Sequence, residues 1–128
     1  MIVVDASAAV ALVFAEPDQK ILAEKLAAST GRMMSPVSYS ELVMVLSRVH
    51  SDPKFIADGY LRDMHVALLT IDARQTELAV HAFLLFGKGR HPARLDLGDC
   101  FSYAAAKAHD CPLLFVGGDF DRTDVLQA

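Results

Sequence analysis

The chain has 128 residues, 53% of them apolar, which is enough material for the core of one domain spanning residues 1–128. No stretch approaches the roughly 18 uncharged apolar residues of a membrane span, and a formal net charge of −4 has the wrong sign for a protein that coats nucleic acid electrostatically. The opening lacks a basic n-region, with no Lys or Arg before Lys20, so it does not read as an export signal.

Met1 to Val4 is a short uncharged run rich in β-branched residues and predicts a buried strand over 2–4, ending on Asp5. Apolar residues resume at Ala8 and predict a helix over about 7–15. Pro17 opens a second helix whose Ile21, Leu22 and Leu26 share a face, and Gly31 ends it. Met33 and Met34 suggest a short strand. Pro36 or Ser38 starts a helix to about His50, and Leu42–Leu46 is apolar on every side, which predicts burial all round. Asp52-Pro53 stops one helix and starts another, to about His65. Val66–Ile71 reads as a third strand. Asp72 caps a helix that runs to Phe86 and halts at Gly87. After the loop GKGRHPARLDLG come a helix over 99–109, a strand over 113–116 and the turn GGDFDRTD.

Strands alternating with helices of this length predict an α/β fold with a parallel sheet covered on both faces. Ligands of such sheets gather outside the carboxyl ends of the strands, where Asp5 and Asp119 fall. Cys100 and Cys111, with no further Cys or His at ligand spacing, read as reduced, buried thiols of a cytoplasmic protein. The five histidines are scattered and none belongs to an HExxH motif.

Most acids have ordinary explanations as caps or solvated charges, but five stand out. Asp5 sits between two apolar runs, where it is either an N-cap or a functional carboxylate. Glu41 precedes the most apolar helix, and Ser38-x-x-Glu41 also matches a capping box. Asp96 and Asp99 share one face of an opening helical turn, where one acid would suffice as a cap. Asp119 follows two glycines, either as a plain turn residue or at a place where the backbone can approach a ligand closely. In a parallel α/β fold these places can converge on one cleft. Carboxylates gathered there would raise one another's pKa unless a cation joined them, and all-oxygen donors select Mg²⁺, or Mn²⁺, over zinc. The chemistry suited to such a site is attack of water on a phosphodiester. Without those five acids the formal charge would be +1, and Lys88, Arg90, His91 and Arg94 crowd the loop that leads into Asp96 and Asp99. A basic rim beside an acidic cleft would hold a polyanion without a basic protein overall; the same loop elsewhere would read as an ordinary solvated one.

The segments IVVDASA, SELVMVLSR, GKGRHPARLDLGDCFSYAAAK, PLLFVGGDF and TDV together resemble the PIN-domain ribonucleases of the VapC toxin type, over nearly the whole chain. The resemblance implies a three-layer α/β/α PIN fold with a short parallel sheet. It also implies Mg²⁺-dependent endonucleolytic cleavage of RNA as the toxin of a type II toxin–antitoxin pair, a homodimer and a cognate VapB-type antitoxin. By position it assigns Asp5, Glu41, Asp99 and Asp119 as the site acids, with Asp5 and Asp99 as metal ligands and Ser7 and Asp96 as accessories. Lys88, Arg90 and Arg94 would contact RNA. Asp96 stands where relatives commonly have Asn, and Gly118 where they often have Asn or Asp. Other folds with an early Asp fit less well: Ser7 occupies the second acid of a haloacid-dehalogenase DxD, Val4 precedes Asp5 where a receiver domain needs an acid, and GxGxxG is absent. The alternative from another class is a catalytically inert PIN-fold module that binds RNA or protein.

Overall fold

Four parallel strands lie in the order β3-β2-β1-β4, so the first strand of the chain sits in the interior of the sheet. A computed structural model describes residues 1–128. Its elements are β1 (Ile2–Val4), α1 (Ala6–Val13), α2 (Gln19–Ala27), β2 (Arg32–Met34), α3 (Pro36–Leu46), α4 (Pro53–Asp63), β3 (Val66–Leu68), α5 (Ala73–Phe86), α6 (Leu97–Ala108) and β4 (Leu113–Leu114). In register, Val3 faces Met33 on one side and Leu113 on the other.

The two-residue period of β1 divides the core. Ile2 and Val4 pack with Ala8, Leu12, Leu22, Leu42, Leu46 and Leu61 from α1 to α4. Val3, pointing to the opposite face, packs with Ala79, Ala82, Tyr103 and Ala104 of α5 and α6. Helices on both faces of a parallel sheet give three α/β/α layers. Each fully buried leucine among them contributes about 1.5–3 kcal/mol through removal of apolar surface from water.

Apart from helix ends such as those of α2, which spans Gln19–Ala27 where the sequence predicts Pro17 to Gly31, the structure departs from the sequence expectations in three ways. β3 ends at Leu68 and β4 at Leu114, short of Ile71 and Val116; at β3 the last ladder bond is the one Leu69 donates to the Met34 carbonyl. α3 ends at Leu46 and is not buried all round: only Ser38, Leu42 and Leu46 form an inward stripe, and Met44 is 65% exposed. α6 begins at Leu97, two residues early, because Asp96 caps it. As expected, both cysteines are free and buried. No helix is long and apolar enough to cross a membrane.

Candidate metal and RNA site

At the carboxyl end of β1 the backbone leaves the sheet and enters α1 in a single residue, Asp5. Its side chain caps the helix by accepting from the Ser7 amide at 3.0 Å, and the same Oδ2 accepts from Ser7 Oγ at 2.6 Å. Ser7 Oγ in turn accepts from the Val116 amide at 3.0 Å, which ties the end of β1 to the segment after β4. Oδ1 accepts from Ser102 Oγ of α6 at 2.5 Å. The carboxylate is only 5% exposed, and these three hydrogen bonds offset the cost of burying it. Asp5 is therefore both cap and functional candidate.

Glu41 has no capping role. Ser35 is the N-cap of α3, accepting from the Val37 amide at 3.2 Å, with Pro36 in the first turn. Ser38 is fully buried and meets Ser102 Oγ at 2.9 Å. That frees Glu41 to lie over the start of α6, so close that a Cβ on Gly98 would stand 1.5 Å from Glu41 Oε1. Gly98 thus makes room for a carboxylate from a different helix.

Asp96 and Asp99 form a reciprocal capping box: Asp96 Oδ1 accepts from the Asp99 amide at 2.9 Å, and Asp99 Oδ2 accepts from the Asp96 amide at 3.1 Å. Asp119 lies on the exposed turn after β4. Gly117 opens that turn at φ +95, a left-handed conformation, and Phe120, buried against Phe115, anchors its far side. The acids feel one another. Burial, then the charges of Asp96 and Asp5, push Glu41 up to about 7. Burial pushes Asp99 up to about 8 against the lowering effect of the Asp96 amide, and the charges of Asp96, Asp5 and Asp119 add to the rise. Burial and the same Asp99 and Asp96 push the Cys100 thiol up to about 11, so it stays protonated.

Beside the acids is a cavity of about 470 Å³ whose lining includes Asp96, Asp99 and Asp119 together with Lys88, Arg94 and Arg122. The 87–95 segment is folded on itself: Gly87 O accepts from the Arg90 and His91 amides, Lys88 N donates to Leu95 O, and His91 Nδ1 accepts from the Ala93 amide at 3.0 Å. Lys88 and Arg94 reach the acid-lined cavity. Arg90 lies instead on a neighbouring cavity with Lys88, His91 and Arg94, and donates to the Leu84 carbonyl at 3.3 Å. Sequence reasoning missed Arg122, which lines the same acid-lined cavity.

The PIN domain family model matches residues 2–126. Over 124 residues the chain is 44% identical to Ribonuclease VapC of Mycolicibacterium smegmatis, covering 96% of each protein. The chain belongs to the PIN-domain family, among the VapC ribonucleases. It is also 40% identical to Ribonuclease VapC30 of Mycobacterium tuberculosis over 124 residues, 96% of this chain and 95% of that one. Among solved structures it resembles Mycobacterium tuberculosis VapC20, described as a Sarcin-Ricin loop cleaving toxin, with a TM-score of 0.78 at 20% identity over 100% of this chain and 98% of the other. It also resembles VapBC-1 of nontypeable Haemophilus influenzae, with a TM-score of 0.79 at 18% identity over 100% and 97%. These two likenesses establish the shared fold.

Whether the VapC-like acids suit a divalent cation can be judged from the donor set. All four are carboxylates, the ligands of a hard cation. None has a basic partner: the ion pairs of the chain are Lys54–Asp58, Arg62–Asp63 and Lys107–Asp124, all elsewhere. Burial first, and then the charges of neighbouring acids, raise Glu41 and Asp99, and no Lys or Arg forms an ion pair with either. No three His, Cys, Asp or Glu side chains form a closed ligand set as they stand. Glu41 rests on Gly98 and Asp99 is held on the Asp96 amide, so the acids are gathered but not converged. In donor type and charge they fit Mg²⁺ or Mn²⁺.

Proposed function

We propose that this chain is a Mg²⁺-dependent endoribonuclease, active with Mn²⁺ as well, and the toxin of a type II toxin–antitoxin pair. The observation that carries the proposal is the gathering of unpaired carboxylates from β1, α3, α6 and the turn after β4 beside a cavity rimmed by Lys88, Arg94 and Arg122. A divalent cation, when bound, neutralises charge developing on the phosphate and lowers the pKa of water. Asp5 and Asp99 are the residues that would hold it, and Glu41 and Asp119 would orient water. In the metal-free chain, burial and then the Asp96 and Asp5 charges hold Glu41 at about 7, so a bound cation would take the place of protons shared among these acids. Ser7 fixes the Oδ2 edge of Asp5, while the Asp96 amide, donating to Asp99 Oδ2, fixes the Asp99 carboxylate. Lys88, Arg94 and Arg122 would grip the phosphates flanking the scissile bond, with Arg90 further along the strand. In-line attack of water then leaves a 5′-phosphate and a 3′-hydroxyl.

The same proposal includes a cytoplasmic location, a VapB-type antitoxin and a homodimer. Identity to VapC ribonucleases and likeness to a VapBC complex support the antitoxin. The homodimer finds support in the exposed Val80, Phe83, Leu84 and Leu85 of α5 and Leu97 of α6, since apolar patches of that kind on a small protein mark association sites. The test is cleavage of a structured RNA by purified chain freed of antitoxin: activity with Mg²⁺ or Mn²⁺, none in EDTA, and none for Asp5→Asn in the same preparation. RNA binding without cleavage would favour the inert module.

A further inference from the structure

Two serines lie in the wall between α3 and α6 where nothing polar is needed for packing. Ser38 and Ser102 are both 0% exposed. Helical serines commonly return their hydroxyl to a carbonyl of their own helix or its end, as Ser40 does to Pro36 at 2.8 Å and Ser47 to Met44 at 2.6 Å. Ser38 and Ser102 instead reach across to each other, and Ser102 continues to Asp5.

Proton accounting gives the pair a direction. A hydroxyl has one proton to donate, and an ionised carboxylate only accepts. Ser102 spends its proton on Asp5 Oδ1, so Ser38 must donate to Ser102. On the other edge Ser7 accepts from the Val116 amide and spends its proton on Oδ2, which also takes the Ser7 amide. Oδ2 is then fully occupied and Oδ1 keeps one lone pair. We propose that Ser102, backed by Ser38, is a positioning residue that fixes the plane of the Asp5 carboxylate and leaves a single Oδ1 lone pair for the divalent cation. Asp5 would thus bind in one-oxygen fashion. This rests on Asp5 as a cation ligand, the role given to it above.

The test uses the purified full-length chain with Mn²⁺ as probe. Ser102→Ala, Ser38→Ala and the double variant are compared by calorimetric Mn²⁺ titration, by the ¹³C signal of the Asp5 carboxyl carbon in metal-free protein, and by melting. Loss of a hydrogen bond that orients a ligand weakens metal binding by about 10- to 100-fold, so Ser102→Ala should lose about tenfold, shift the Asp5 signal and melt close to wild type. Ser38→Ala should lose less, and the double variant no more than Ser102→Ala, because Ser38 acts only through Ser102. Saturating Mn²⁺ should restore RNA cleavage by Ser102→Ala. Wild-type Mn²⁺ affinity in Ser102→Ala with an unmoved Asp5 signal would overturn the proposal and leave the nuclease assignment standing. A wild-type chain that takes up no Mn²⁺ would overturn both. If Ser102→Ala does not fold, Ser38→Ala carries the test, with a measurable loss short of about tenfold expected and an unchanged affinity overturning the role.

Discussion

Gly98→Ala separates the fold from the site in one methyl group. The new Cβ would stand 1.5 Å from Glu41 Oε1, 2.6 Å from its Cδ and 3.1 Å from Oε2. To reach ordinary contact distance the carboxylate must retreat by about 2 Å, which a long side chain can do by rotating outward. Backbone stability should hardly suffer, since replacing Gly in a helix by Ala gains up to about 1 kcal/mol. The displaced carboxylate also escapes the burial and the Asp96 and Asp5 charges that raise it to about 7. Melting of metal-free Gly98→Ala at pH 8 should therefore match or exceed wild type. Cleavage should fall by about 10- to 100-fold, the loss typical of a disturbed metal surround. The direct assay is NMR titration of Glu41, whose midpoint should drop toward an ordinary glutamate value. Wild-type cleavage together with an unmoved Glu41 midpoint would refute both the packing account and the role of this acid.

Further outcomes follow from the same geometry. Glu41 and Asp99 are raised in the folded metal-free chain, so their contribution to stability is whole below about pH 4 and is lost as pH rises through about 7 and 8. Asp99→Asn should accordingly gain about 1 kcal/mol relative to wild type between pH 5 and 8.5, allowing for solvent screening of a partly exposed group; parallel denaturation curves at both pH values would contradict this. Arg122→Gln should raise KM for RNA, leave kcat near wild type and lower the slope of log KM against log salt by about 1; an unchanged slope removes Arg122 from the RNA path. Leu84→Glu should reduce the mass seen by light scattering from a dimer to the 13.9 kDa chain, whereas a wild-type monomer would exclude the apolar α5 face as a self-association surface.

The sequence marked the candidate acids by their places along the chain, although each place also admits a cap or turn reading. Asp5 closes an apolar strand, Asp96 and Asp99 open a helix three apart, and Asp119 follows a glycine pair. What one dimension could not disclose was the partner of each side chain. Ser38-x-x-Glu41 has the spacing of a capping box, yet Ser35 does the capping and Ser38 turns inward to Ser102. A buried serine and a solvated one are the same letter, so the hydroxyl line to Asp5 carried no signal in the sequence. Gly98 reads as a neutral spacer until Glu41 arrives from another helix. Arg122 stands in a turn of mixed charges, and only the fold brings it to the cavity that Lys88 and Arg94 also line. The all-apolar Leu42–Leu46 run predicts a buried helix, but the exposed Met44 shows that hydrophobic composition alone cannot distinguish core from free surface.

An acidic chain that handles a polyanion needs its negative charge cancelled where the polyanion arrives. Here the raised Glu41 and Asp99 mean that, without a cation, neutral pH cancels part of it with protons. A divalent ion must then displace those protons, which makes uptake measurable by linkage. Mn²⁺ titrations at pH 7 in two buffers of different ionisation enthalpy should show release of about one proton per ion, the coupled acids sharing the loss. Release should shrink toward zero by pH 9, where both acids are already ionised, and affinity should climb between pH 6 and 8. Asp99→Asn should release less than wild type at pH 7. Tight uptake with no proton release at pH 7 would mean that the ion sits away from Glu41 and Asp99, and the carboxylate cleft would lose its claim to the chemistry.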